Sequence, residues 1–425
     1  MLQPILIYNL FPRLLGYIEN WSAHSKRAAE MGFNVIYVNP IQYAGLSGSL
    51  YAIKEYYQYN PLFFRTADVR SQEAELRAFL KQCHDQGVRV LIDLVINHTS
   101  IDSPLTVEHP DWYHHEKDGS ITHPGAYKEK VKIVEWGDLA ELDNLHSPDR
   151  KHLWEYWRDF VLHLLKLGFD GFRCDAAYQV PSGLWEYLIS AAKSEKQDLI
   201  FVAETLGCTP VEAAKTARAG FDYIFNSSKY WDFVEPWCLV QYNRFRKFTS
   251  TISFPESHDT PRLYRELSGN VQEIKKKYLF AATYSSGLMV PIGFEYGFKN
   301  QLDVVSTTPF NWETMNFDFT GYIHSVNSLK LKYPIFHHDS ELVEIKSEDP
   351  QVYCFMKHFK KQHALIAINK NPNNHSRFYM RNLYEIMDAR IIQDVSPEWG
   401  GEPVPPDYDY YLRPSQVKVL VTESR

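Results

Sequence analysis

Arg173 and Asp175 stand two residues apart in "GFDGFRCD", at the end of an apolar run that reads as an interior strand. Residues two apart on a strand share a face, so a guanidinium and a carboxylate are expected side by side. Charges at such a place are costly unless paired or used. The same pattern recurs elsewhere in the chain. "LIDLVINHTS" ends a strand-like run with Asp93, Asn97 and His98, "FVAETLG" ends one with Glu204, and "FPESHDTPR" carries His258 and Asp259. Carboxylates that converge from several strand ends suit cleavage of a glycosidic bond. That chemistry needs one carboxylate as nucleophile or base and a second kept protonated as general acid.

The elements that must position these groups follow from periodicity. Eight short, β-rich runs occur in order, from "PILIYNLF" and "NVIYVNP" to "STISFPESHD" and "GLMVPIGFE", most with a helical pattern between them. This is the pattern of an α/β protein of the (β/α)8 barrel type, in which active-site residues sit at the C-terminal ends of the strands. The stretch from Thr99 to about Asn144 breaks the rhythm with prolines and no long helical period, and reads as an inserted subdomain after strand 3. After about Lys332 strand-like runs alternate with turns, as in a C-terminal antiparallel β-domain. The expected organisation is a catalytic barrel over 1–98 and 145–332, an insertion over 99–144, and a C-terminal β-sandwich over 333–425.

The bulk numbers exclude some partners. A net charge of −7 with no basic stripe gives no reason to expect nucleic acid. No apolar run approaches the roughly 20 residues that span a bilayer, and the first residues do not form a convincing signal peptide. Cys83, Cys174, Cys208, Cys238 and Cys354 are odd in number and without paired spacing, which favours a reducing compartment. The protein therefore reads as cytoplasmic, with no membrane partner.

Taken together and in order, these strand ends resemble the signature regions of the α-amylase superfamily of glycoside hydrolases and transglycosylases. The resemblance implies that Asp175 is the nucleophile, Glu204 the acid/base and Asp259 the third carboxylate. It implies that Arg173 pairs with the nucleophile, and that His98 and His258 hold the sugar where cleavage occurs. "GSLYAIKEYY" is similar to the stretch in which a tyrosine stacks under the sugar, which implies that role for Tyr51, with Glu55 and Tyr56 in support. "VPIGFEYGF" resembles the last barrel strand, with Glu295 structural. The substrate implied is an α-1,4-linked glucan or malto-oligosaccharide.

The sequence also departs from that pattern. Where many amylases have Lys-His after the nucleophile, this chain has Tyr178 and Gln179, expected on the acceptor side of the cleft. Ser257 stands where Asn is common. "DAAYQVP" also resembles bacterial glycogen-pathway maltosyltransferases, but no phosphate-specific motif is visible. Asn97 matches the family's amide ligand to calcium, yet Thr99–Asn144 contains no assignable acidic calcium loop. No cofactor and no tight calcium site are expected. Three readings follow: a retaining hydrolase, a transglycosylase or isomerase with the same machinery, and a non-catalytic binding or scaffold subunit. Retention of Arg173, Asp175, Glu204 and Asp259 argues against the last.

Overall fold

The computed structural model describes the backbone of residues 4–128 and 131–422, and their side chains except 126–128 and 131–133. Residues 1–3, 129–130 and 423–425, which belong to the spans read as barrel, insertion and C-terminal domain, lie outside the described residues.

Eight parallel strands close into a barrel. They are β1 (Leu6–Leu10), β2 (Val35–Val38), β3 (Arg89–Leu94), β4 (Gly171–Cys174), β5 (Ile200–Ala203), β6 (Tyr223–Phe225), β7 (Ser250–Ser253) and β8 (Gly287–Pro291). Helices α1 (Trp21–Glu30), α2 (Val69–Asp85), α3 (Arg150–Leu167), α4 (Ser182–Glu195), α5 (Pro210–Ala217), α6 (Trp237–Phe245), α7 (Val271–Tyr284) and α8 (Thr320–Lys332) follow them in turn.

Each strand is buried on both faces, as a parallel barrel requires. One set of alternate residues packs under the helices, among them Leu6, Ile36, Ile92 and Phe172. The other set fills the lumen with Ile7, Val35, Leu91, Val202, Tyr223 and Ile252. Continuing the lumen set by twos leads from Ile7 to Asn9, from Val35 to Tyr37 and Asn39, and from Leu91 to Asp93. It likewise leads from Gly171 to Arg173 and Asp175, and from Val202 to Glu204. The interior is thus apolar through the barrel and turns polar at the C-terminal mouth. Two other carboxylates of the "GFD" turns serve the opposite end. Asp170 accepts the Val90 N–H and Asp222 the Phe201 N–H, each at 2.8 Å, and both pair with lysines.

Two glycines make β4 possible. Gly168 ends α3 in the left-handed region at φ +117°. Gly171 has φ +146°, and a Cβ there would lie 1.9 Å from the Ile200 carbonyl oxygen. Only a residue without a side chain lets β4 approach β5 this closely.

The insertion after β3 is stemmed by an antiparallel pairing of His98–Ser100 with Leu139–Glu141, and carries a hairpin of Gly125–Lys128 with Val131–Glu135. A second excursion, the hairpin of Gln42–Ala44 with Ile53–Tyr59, follows β2 and presents Tyr51.

Among the described residues the C-terminal region has seven strands: β9 (Leu342–Ile345), β10 (Val352–Phe359), β11 (Gln362–Asn369), β12 (Ser376–Met380), β13 (Ile392–Asp394), β14 (Tyr408–Leu412) and β15 (Val417–Thr422). They form a five-stranded antiparallel sheet in the order β9-β10-β11-β15-β13 and a β12–β14 ribbon. Alternation splits the sheet. Tyr353, Phe355, Ile366 and Val419 join the barrel's core, while Val352, Cys354, Leu365 and Leu420 form a separate core under the ribbon. Lys357 crosses to the barrel and donates to the carbonyls of Thr283 and Tyr284.

Candidate active site

The register of the strands dictates the site. Arg173 on β4 lies opposite Asp93 on β3, and Cys174 lies opposite Ala203 on β5. The next residues, Asp175 and Glu204, therefore leave adjacent strand ends together. Arg173 Nη1 reaches Asp93 Oδ1 and Oδ2 at 3.0 and 3.1 Å, and Asp175 Oδ1 at 2.6 Å. It is buried, and is held charged by Asp93, Tyr37, Tyr51 and Asp175 against the cost of that burial. Removing this guanidinium would leave the buried Asp93 without its cation, a defect costing about 3–5 kcal/mol. Asp175 Oδ2 takes no hydrogen bond from the described residues.

Asp93 is fully enclosed, and its Oδ2 also accepts the hydroxyls of Tyr37 at 2.5 Å and Tyr51 at 2.7 Å. Burial raises its carboxyl to about 6, with Arg173 and the two hydroxyls opposing. Tyr51 meets His258 twice, with OH to Nε2 at 2.8 Å and the two rings parallel within 3°. His258 Nε2 in turn lies 3.1 Å from Asp259 Oδ2. His98 Nε2 contacts the Tyr51 carbonyl at 3.1 Å. Tyr56 supports His98 from beneath, donating to the carbonyls of Val95 and His98. Burial lowers the pKa of both histidines and favours the neutral rings, and each leaves Nδ1 without a partner.

Glu204 accepts the Ala176 N–H on Oε2 at 2.8 Å and the Leu206 N–H on Oε1 at 3.0 Å. Its carboxyl is raised to about 8. Desolvation is the main cause, the charges of Asp175 and Asp259 add to it, and Arg173 opposes. Ala176, between the two carboxylates, has φ +38°, a left-handed conformation rare for a residue with a side chain. Asp259 is the outlying member, on the loop after β7 and 55% exposed. Ser257 shapes that loop, with Oγ accepting the Asp259 N–H. A buried Glu256–Arg262 pair at 2.9 Å braces it from below. Glu295, in the turn after β8, accepts from Tyr8 OH and Arg27 Nη2. Glu55 sits across its hairpin from Tyr43.

Sequence reasoning passed over Tyr37, Asn39 and Glu256. The spacing of Tyr37 and Asn39 in "VIYVNP" repeats the pattern of Arg173 and Asp175 and offered a signal. Glu256 lies in an irregular loop and offered none.

Residues 1–120 match the family model described as the glucanotransferase domain of glycogen debranching enzyme. The chain is 25% identical over 388 residues to the alpha-1,4-glucan:maltose-1-phosphate maltosyltransferase of Burkholderia pseudomallei (strain K96243), aligning 86% of this chain with 33% of that protein. It is also 25% identical over 339 residues to the alpha-amylase MalA of Haloarcula japonica, covering 72% of this chain and 46% of that one. Among solved structures, an alpha-amylase from Lactobacillus plantarum matches with a TM-score of 0.78 at 20% identity over 99% of each chain. The alpha-amylase of Geobacillus thermoleovorans complexed with acarbose matches with a TM-score of 0.79 at 17% identity, over 99% of this chain and 98% of that one. These relatives and neighbours are α-amylase-family enzymes. The chain thus has the α-amylase fold, and it spans about a third of the first of these curated relatives.

On this amylase fold Tyr178 and Gln179 form a 3-10 turn with Ala177 after β4, lining a cavity of about 340 Å³ with Asn97, His114, Asn144 and Lys215. Gln179 turns toward the insertion and accepts from Asn97 Nδ2 at 3.0 Å. The cavity tests the calcium question. Asn97 Oδ1 and Asn144 Oδ1 are buried without partners, but calcium takes six to eight oxygens, carboxylates among them. Among the described residues no group of three or more His, Cys, Asp or Glu is placed to hold an ion. Two neutral amide oxygens beside one lining carboxylate, Glu141, fall short of the donor set of a tight calcium site. Treatment with EDTA should leave the melting temperature and any activity unchanged. A fall restored by added calcium would assign Asn97 and Asn144 to a metal site. Among the described residues no helix is long and apolar enough to cross a membrane.

Proposed function

We propose that this chain is a retaining enzyme of α-1,4-linked glucans or malto-oligosaccharides that works by double displacement. The observation that carries the reading is the contrast between two adjacent carboxyls. Asp175 keeps one oxygen on Arg173 and the other open, while Glu204 is raised far enough to hold its proton near neutral pH. In the first step Asp175 Oδ2 attacks the anomeric carbon as Glu204 gives its proton to the departing glycosidic oxygen. This leaves a glycosyl ester on Asp175 and a carboxylate on Glu204. In the second step Glu204 takes a proton from water or a sugar hydroxyl, whose oxygen displaces Asp175. Asp259, His98 and His258 hold sugar hydroxyls, and Tyr51 lies beneath the ring.

The reading keeps the division into a barrel over 1–98 and 145–332, an insertion over 99–144 and a C-terminal β-sandwich over 333–425. The separate apolar core beneath the ribbon supports the last of these. It also keeps a cytoplasmic setting, supported by the five unpaired cysteines.

Incubation with maltoheptaose, with and without phosphate, followed by product chromatography, tests the function. Shorter oligosaccharides of retained configuration are expected. Release of maltose 1-phosphate from glucan would make the protein a maltosyltransferase, the second reading, which the Burkholderia pseudomallei relative favours. Absence of any product would leave a binding role.

The acceptor side gives a further expectation. Tyr178 offers an aromatic face and Gln179 an amide already engaged with Asn97, with no cation at either position. These two positions suit a neutral sugar better than an anion, and among the described residues Lys215 is the one lysine that lines the same cavity. Oligosaccharides longer than those supplied should accumulate at high substrate concentration, because a held acceptor competes with water. Tyr178→Ala should abolish those longer products while hydrolysis continues. Unchanged transfer in that variant would remove Tyr178 from acceptor binding.

A further inference from the structure

A buried polar string runs along the barrel mouth from β1 through β2 and β3 to β4. Asn9 Nδ2 donates to Asn39 Oδ1 at 2.8 Å. Asn39 Nδ2 then donates to the hydroxyls of Tyr51 at 2.9 Å and Tyr37 at 3.2 Å. Both hydroxyls pass their own protons to Asp93 Oδ2. Asn9, Asn39, Tyr37 and Asp93 are each 1% exposed or less. A neutral lumen would need none of these polar groups, and each costs desolvation unless its hydrogen bonds are met.

The direction of the string is informative. Asn39 can donate two protons and no more from its amide nitrogen. It spends both on tyrosine oxygens, so neither hydroxyl donates back to it; both donate to Asp93 Oδ2, and the Tyr51 oxygen also meets His258 Nε2. Asp93 therefore receives two fixed donors on Oδ2 and a guanidinium across both oxygens. Arg173, anchored in this way, aims the remaining N–H bond at Asp175 Oδ1 and leaves Oδ2 open. Tyr51 belongs to the sugar platform and Arg173 to the nucleophile, whereas Tyr37 touches neither Asp175 nor the open face of the mouth.

Building on the retaining mechanism above, we propose that Tyr37, oriented by Asn39 and Asn9, is a positioning residue that fixes Asp93 as the common anchor of Arg173 and Tyr51, and thereby sets the aim of Asp175. Its effect runs through Asp93. The groups facing that carboxyl are Tyr37 from β2, Tyr51 from the hairpin, and Arg173, Cys174 and Asp175 from β4, with His258 and Asp259 one contact beyond Tyr51. Removing the Tyr37 hydroxyl takes a donor from the charged form of Asp93 and favours its protonation. A protonated Asp93 releases Arg173.

The test is Tyr37→Phe, which keeps the ring and its packing. The unsubstituted enzyme is measured beside it on maltoheptaose across pH 4 to 9. A loss of kcat of about tenfold is expected at the optimum, the scale of one charge-assisted hydrogen bond, with KM nearly unchanged. The acid limb of the profile should move to higher pH, while the alkaline limb, governed by Glu204, stays in place. A uniform loss at every pH, or no loss, overturns the proposal and shows Tyr37 to be packing. If Tyr37→Phe fails to fold, Asn39→Ala is the second variant, and the same displacement of the acid limb is required of it. Absence of turnover by the unsubstituted protein overturns the functional reading itself, and the positioning role falls with it. Turnover there with an unmoved acid limb in the variant overturns the positioning role alone.

Discussion

Asp175→Asn yields a folded protein whose turnover of malto-oligosaccharides is lost, by a factor on the order of 10⁴ or more. An amide cannot form the glycosyl ester, so the first displacement has no nucleophile. The loss belongs to kcat, because the group acts mainly in the transition state and contributes little to holding the ground-state sugar. The fold should survive. Arg173 keeps Asp93 as its main partner at 3.0 and 3.1 Å, and the asparagine oxygen can still take the third contact. The melting temperature and the far-ultraviolet spectrum should therefore match those of the unsubstituted protein. Substantial activity in this variant, measured after removal of any contaminating amylase, would take Asp175 out of the nucleophile role.

Glu204→Gln loses activity by about 10²–10⁴-fold on glucans, the range of general acid–base catalysis, and its pH profile separates this from a structural defect. In the unsubstituted enzyme the carboxyl is raised to about 8, chiefly by burial. The working form of the first step is the protonated one. Activity is therefore sustained below that pH and falls as the pH rises through about 8 and the proton is lost. Glutamine carries no titrating proton, so the alkaline limb should vanish with the activity. A substrate whose leaving group needs no protonation, such as a 4-nitrophenyl maltoside, should still release its first product. The second step then stalls for lack of a base, and an initial burst of nitrophenol is the expected trace. An alkaline limb retained in Glu204→Gln would assign it to another group.

The sequence by itself determined the alternation of strand and helix, and hence the barrel, because short continuous apolar runs separated by helical periods have few other ways to bury both faces. It determined that Asp93, Arg173, Asp175 and Glu204 share the inward parity of their strands. The carboxylates of a barrel mouth are legible because each ends its own apolar run, where a charge is conspicuous. The C-terminal strands "LVEI", "IQD" and "YDYYL" were not, since three to five residues interrupted by Asp, Glu or Gln carry too little pattern to stand apart from loops.

Tertiary structure alone decided the rest, because the contacts join residues far apart in the chain. Asp93 meets Tyr51 across 42 residues, Tyr37 across 56 and Arg173 across 80. No local window contains such a set, and strand order and register must close the barrel before the groups meet. The proton on Glu204 has the same origin. Its raised pKa comes from burial and from Asp175 and Asp259, one on the neighbouring strand end and one on the loop after β7. Nor does the sequence show that Gln179 turns to Asn97, or that Ser257 and Glu256 hold the exposed Asp259 loop. A side chain's type is written in the chain, but its partners, its solvation and its protonation follow from what the fold places around it.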